Sequence, residues 1–166
     1  CNDSGLMHLA AAVGTKVLLI SLGAAGYQET GPYGKGHFII HTNLSCFPCD
    51  FSAVCPHMLC TEHISTIHVL EATKLAMERE GIKKNMSPLT WEGVNLLRTG
   101  FDEEEMMEYI PVFPVMLTKK AFYNSFYRFF WQYEDKENGL GDPCHKKEII
   151  NRIKKRIRTD YYSLPN

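Results

Sequence analysis

The first fifteen residues constrain this chain more than anything that follows. Asp3-Ser4-Gly5 is a turn of capping residues and a glycine, and Leu6, Leu9, Ala10 and Val13 come next at the spacing of one helical face, with Gly14 as the stop. Lys16-Val-Leu-Leu-Ile-Ser-Leu22 is then a continuous apolar run between glycines, too short for most helices. A strand buried on both faces, as in a parallel sheet, fits it best. A turn of this kind leaves a strand, and none stands before it, so the expectation is a chain cut inside a domain.

The following residues extend the pattern. Gly23 to Gly36 holds five glycines and a proline and reads as a long loop, and His37-Phe-Ile-Ile-His41 reads as a short second strand. Ser65 caps a helix whose Ile67, Leu70, Leu75 and Met77 are expected to face a core, ending near Gly81. Helix, strand, loop, strand and helix in that order form one end of an α/β layer structure. With 166 residues there is room for one domain with an appendage. The domain is placed at residues 1–81 and a mostly helical extension at 82–166.

Within that extension Val94-Asn-Leu-Leu-Arg-Thr99 suits a strand or a helix turn, and Asp102 with Glu105 has the form of a capping box opening a short acidic helix. Ala121 to Glu134 reads as an aromatic helix. A second helix opens with Asp142 and Pro143, has seven basic residues between Lys146 and Arg158, and carries a stripe of Ile149, Ile150, Ile153 and Ile157.

Composition narrows the function classes. Hydrophobic residues make up 45% and charged residues 22%, a globular balance, and the net charge of −1 excludes an overall electrostatic nucleic-acid binder. The longest apolar stretch, Val17 to Ala25, is far short of the roughly 20 residues of a membrane span. No basic region followed by an apolar core marks a secretory signal at the start, so a cytoplasmic location is expected. The basic segment 145–158 is read first as a solvated amphipathic helix docked by its isoleucines. The second reading is peripheral contact with an anionic inner-membrane surface.

The opening turn has its own chemistry. Free backbone N–H groups and the positive end of the dipole collect where a helix starts, and a glycine there lets a phosphate approach the backbone. Ser4, Gly5 and Leu6 stand at that point, and His8, on the first turn, is able to lean toward the same ligand. Asp3 would repel a phosphate and is better suited to sugar hydroxyls. The plainer alternative is helix capping, with His8 structural.

Asp3-Ser-Gly-Leu-Met-His-Leu-Ala-Ala-Ala-Val-Gly-Thr15 before an apolar strand resembles glycosyltransferase family 9, the ADP-heptose:lipopolysaccharide heptosyltransferases. That family reads Asp-Ser/Thr-Gly-x-x-His-x-x-Ala-Ala-x-Gly before a strand ending in Phe-Gly-Pro-Thr. The similarity continues through Thr30-Gly-Pro-Tyr-Gly34, His37-Phe-Ile-Ile40, Cys46-Phe-Pro-Cys49, Cys55, Cys60 and the helix led by Ile64 and Val69, over about residues 1–80. It departs at Leu22-Gly-Ala-Ala-Gly26, where the rigid proline and the hydroxyl are missing.

The resemblance implies a partial Rossmann-like C-terminal domain of a two-domain GT-B glycosyltransferase. Its donor would be an ADP-heptose-like nucleotide sugar, used in lipopolysaccharide core assembly. Asp3 would bond donor sugar hydroxyls, Ser4, Gly5 and Leu6 would receive the diphosphate, and His8 would support that pocket. The catalytic base and a diphosphate-binding lysine lie in upstream parts of the family, as does the site for a lipid-linked saccharide acceptor. The expectation is therefore no catalytic residue in this chain, no transfer by it alone, and no required metal or cofactor. Two other readings are a GT-B transferase using another nucleotide sugar and a non-catalytic binding or interaction module.

Cys46, Cys49, Cys55 and Cys60 stand within fifteen residues, with His57 and His63 close in sequence. Their spacing leaves three readings open: reduced thiols shaping a loop, which is preferred, a tetrahedral zinc site, or disulfides.

Overall fold

A four-stranded sheet in the order β1-β2-β3-β4 organises the chain, with β1 spanning Leu18–Ile20, β2 Phe38–Thr42, β3 Val94–Phe101 and β4 Met107–Pro111. The structure is a computed structural model and describes residues 1–77, 91–102, 105–113 and 151. The chain divides into two units, Cys1–Phe113 and Pro114–Asn166, and every element named here belongs to the first. The aromatic segment Ala121 to Glu134, the basic segment 145–158 and the rest of the expected helical extension beyond Phe113 lie outside the described residues, Asn151 apart.

β1 and β2 run parallel in the register Leu18 to Phe38, as expected of a run buried on both faces. β2 to β3 and β3 to β4 are antiparallel, so the sheet is mixed, consistent with a Rossmann-like fragment bearing an antiparallel edge. On one face Leu19, Ile39 and Leu97 pack with Met7, Val17, Tyr27 and Phe47. On the other, Phe38, Ile40, Val94 and Leu96 pack with Ala72 and Trp91. Alternating side chains of the same strands thus feed two cores.

The first face is covered by α1 (Gly5–Ala12) and the single turn α2 (Tyr27–Thr30), and the second by α4 (Thr66–Met77), which follows the short α3 (Leu59–His63). α2 interrupts what the glycine count suggested was one long loop. Gly14, at φ +76°, ends α1 in the left-handed region that glycine occupies without steric cost.

Four expectations are corrected. The buried face of α1 is Met7 with Ala10 and Ala11 beside it, whereas Leu6, Leu9 and Val13 are exposed. α4 likewise buries His68 and Ala72, with Val69, Leu75 and Ala76 half-buried, and leaves Ile67, Leu70 and Met77 exposed. Both helices are apolar around much of their circumference, so periodicity did not single out one stripe. Where a helix meets the flat sheet closely, small residues such as Ala10, Ala11 and Ala72 take the contact.

Asp102 and Glu105 open no helix: they form the turn of the β3–β4 hairpin. The Asp102 carboxylate accepts from Met106 N–H at 2.9 Å, and Glu105 N–H donates to the Asp102 carbonyl at 3.1 Å. An aspartate that accepts a following backbone N–H serves a turn as well as a helix start, and strand pairing decided between them. Finally, β3 and β4 carry the sheet past residue 81, so that Val94–Pro111 belongs to the domain rather than to a helical extension. Among the described residues no helix is long and apolar enough to cross a membrane.

Candidate functional site

Cys1 and Asn2 run alongside β1 and supply the strand end from which the opening turn departs. The Cys1 ammonium donates to the Leu18 carbonyl at 2.8 Å, Ile20 N–H donates to the Cys1 carbonyl at 2.9 Å, and Asn2 bridges Ile20 in parallel. Asn2, Ile20 and Thr42 therefore end at one edge of the sheet, and α1 starts there. In open α/β sheets ligands bind outside these carboxyl ends.

Three loops share that edge. The turn Asp3-Ser4 leads into α1, Ser21 to Gly26 leaves β1, and the segment after Thr42 leaves β2. The second and third are tied together: Cys49 N–H donates to the Gly23 carbonyl at 2.9 Å, and a Cβ on Gly26 would stand 3.2 Å from the Pro48 ring. Ser21, buried at the end of β1, closes its own loop by donating Oγ–H to the Ala25 carbonyl at 2.8 Å.

Ser4, in extended backbone (φ −164°, ψ 161°), occupies the N-cap of α1 without making a side-chain cap hydrogen bond. Among the described residues, no hydrogen bond or ion pair holds the side chains of Asp3, Ser4 and His8. Asp3 is half-buried, while Ser4, Gly5, Leu6 and His8 are exposed. A Cβ added at Gly5 would meet nothing within 4 Å, so open space lies in front of that backbone. His8 is three residues from Gly5 and four from Ser4, which puts the three on one side of the helix start. Met7, at 1% exposure, anchors the turn from below.

Lys16 and Lys35 are removed from this picture. They precede β1 and β2 and so stand at the amino edge of the sheet, opposite the turn. Lys16 instead donates Nζ–H to the Ala76 carbonyl at 2.7 Å, satisfying the C-terminal end of α4.

Sequence reasoning passed over two histidines. His41, at the carboxyl end of β2, has its ring 4.7 Å from that of Tyr27 and stacked 5.5 Å from that of Phe47, with Nδ1–H donating to the Thr42 carbonyl at 3.0 Å. Burial pushes its imidazole down to about 4, against the smaller opposing effect of the Thr42 bond, so it is a neutral packing group under the site. His37 works at the other edge. Its Nδ1 accepts from Val17 N–H at 3.2 Å, and its backbone N–H donates to Thr99 Oγ1 at 2.9 Å. Burial lowers its imidazole too, with a hydrogen bond to the Tyr33 backbone opposing. The available signal was parity: residues 37, 39 and 41 share one face of a strand whose centre is apolar.

The cysteines do not form the tetrahedral set that their spacing offered. Among the described residues no three His, Cys, Asp or Glu side chains gather to hold a metal ion, and no disulfide joins Cys46, Cys49, Cys55 or Cys60.

Residues 1–58 match the family model of glycosyltransferase family 9 (heptosyltransferase). The match takes in the open turn, α1, β1, α2, β2 and the loop as far as Met58, and stops before α3. The matched stretch therefore includes the three loops of the carboxyl edge together with the elements that carry them. No curated protein and no solved structure matches the chain significantly.

Proposed function

We propose that this chain supplies the donor-binding edge of a family 9 glycosyltransferase, holding an ADP-heptose-like nucleotide sugar for transfer to a lipid-linked saccharide in lipopolysaccharide core assembly. The observation that carries the proposal is the uncapped start of α1, open at Gly5, on the carboxyl edge of the sheet and inside the matched stretch. Backbone N–H groups there face a diphosphate with no side chain competing for them, and the helix dipole adds a partial positive charge. Asp3 is set beside the diphosphate to accept hydrogen bonds from donor hydroxyls, and His8 flanks it from the first turn.

In such a reaction the charge that grows on the leaving diphosphate is met by these preorganised donors, which strengthen their hold as the glycosidic bond breaks. The base that deprotonates the acceptor hydroxyl is assigned to the acceptor-binding domain that the resemblance implies. This chain alone is expected to bind the donor weakly and to transfer nothing.

An NMR titration with ADP tests the reading. Perturbed amides are expected at Gly5, Leu6 and His8. Because a methyl group at Gly5 has room, Gly5→Ala is expected to leave the fold and stability within about 0.5 kcal/mol of the parent while weakening ADP binding about tenfold. Unchanged binding by Gly5→Ala, or perturbations confined to the opposite edge of the sheet, would overturn the proposal.

A further inference from the structure

The loop after β2 carries chemistry that donor binding does not use. Four of the six cysteines lie between Cys46 and Cys60. None of the four is in a disulfide: Cys46 and Cys55 are exposed, and Cys49 and Cys60 are half-exposed. None of the four is buried, and around Cys55 every residue from Asp50 to Leu59 is exposed. Among the described residues they belong to no metal-binding group. Thiols of this kind are governed by reactivity rather than packing.

One of the four has a distinct environment. Pro56 follows Cys55 directly and has no N–H to offer, and the chain then turns back through Met58, whose φ of 47° is left-handed. Met58 N–H donates to Cys55 Sγ at 3.4 Å. Together, hydrogen bonds from the His57 and Met58 backbone hold the Cys55 thiol below its usual range, because backbone dipoles converging on one sulfur favour its anion.

We infer that Cys55 is a thiol modification site that reacts with low-molecular-weight disulfides and passes the oxidation to a second thiol of the same loop. In the first step the Cys55 thiolate attacks one sulfur of a disulfide RSSR. The Cys55–SR bond forms, the S–S bond breaks, and RS⁻ leaves with the electron pair to take up a proton. In the second step a neighbouring loop thiolate attacks Cys55 Sγ, closes an intraloop disulfide and expels the second RS⁻. Two protein thiols are oxidised and one RSSR is reduced to two RSH. Accessibility, a stabilised thiolate and a resolving thiol close in sequence are what such a site requires. The inference stands independently of the transferase reading.

The experiment uses the full chain, fully reduced, mixed with glutathione disulfide near neutral pH. Samples are quenched with acid and alkylating agent over time and mapped by peptide mass spectrometry. Cys55 is expected to gain glutathione roughly tenfold faster than Cys46, Cys60 or Cys1 in the same molecules. Glutathione is then expected to leave as a disulfide appears between Cys55 and Cys46, Cys49 or Cys60. Comparing sites within one chain makes the result independent of how any variant folds. Cys55→Ser, at an exposed position, should slow oxidation of the loop about tenfold with an unchanged circular dichroism spectrum. Equal or faster reaction at Cys46 or Cys60, or glutathione that stays on Cys55 without an intraloop disulfide, would overturn the inference.

Discussion

Helices α1 and α4 both begin on a serine with a histidine close behind, and they treat their first turns in opposite ways. At α4, His68 stands three residues after Ser65, and its Nδ1 accepts from Ser65 N–H at 3.0 Å with Ser65 Oγ 3.1 Å away. That is one half of a capping box, with histidine in place of glutamate, and the buried ring, 4.9 Å from that of Trp91, fastens it to the core. At α1 the corresponding third position is Met7, sunk into the opposite core, and His8 comes one residue too late to reach back. A one-residue offset turns one histidine back onto its own helix start and leaves the other start open. The open one lies within the family 9 match and the closed one does not.

Acid should have the largest effect, because it acts on the sheet that both helices share. The folded pKa of His41 is depressed to about 4 from 6.5, so below pH 6.5 the unfolded chain binds more protons than the folded one. Stability is then full above about pH 6.5 and falls as pH drops toward 4, by about 3 kcal/mol in all. His37, lowered in the same direction, adds to the loss. Denaturant titrations at several pH values should show this slope, and His41→Phe should flatten it. A profile identical to that of the parent would remove His41 as the cause.

Replacing the two histidines should separate the helix starts next. His68→Ala is expected to cost about 2 kcal/mol, from the cap and the buried ring together, whereas His8→Ala should stay within about 0.5 kcal/mol. Equal losses in urea unfolding would mean that the offset has no structural consequence. A finer version uses the serines: Ser65→Ala should cost about 1 kcal/mol and Ser4→Ala less than about 0.5, because among the described residues only the Ser65 hydroxyl has a hydrogen-bond partner, the His68 ring.

The smallest effect concerns Thr42, at the end of β2. Its Oγ1 is buried without a hydrogen-bond partner among the described residues, so Thr42→Val should be neutral or stabilise by up to about 1 kcal/mol in thermal unfolding. A clear loss of stability would reveal a partner for that hydroxyl.

Much of the candidate site was legible in the sequence because its signals are local. Asp3-Ser4-Gly5 with a helix behind it and an apolar strand after Gly14 can be read within twenty residues, and the structure places each element there. The strand end at Cys1-Asn2 was not legible. Two residues have no periodicity, and their role rests on pairing with Leu18 and Ile20. β4 was missed for a related reason: Met107–Pro111 is a strand because β3 lies beside it, and Asp102 suits a hairpin turn as well as a helix cap.

Short windows of sequence determined the order of the front elements, the apolar run that becomes β1 and the glycine at the start of α1. Each follows from composition and backbone preference over short windows. Only the tertiary structure decided which stripe of α1 and α4 is buried, because two apolar stripes compete on each helix and contact with the sheet selects the one that fits. It also decided that Lys16 serves the end of α4 and that His68 closes one helix start while Met7 leaves the other open. Those outcomes turn on which face of the sheet each helix meets, a relation between residues dozens of positions apart.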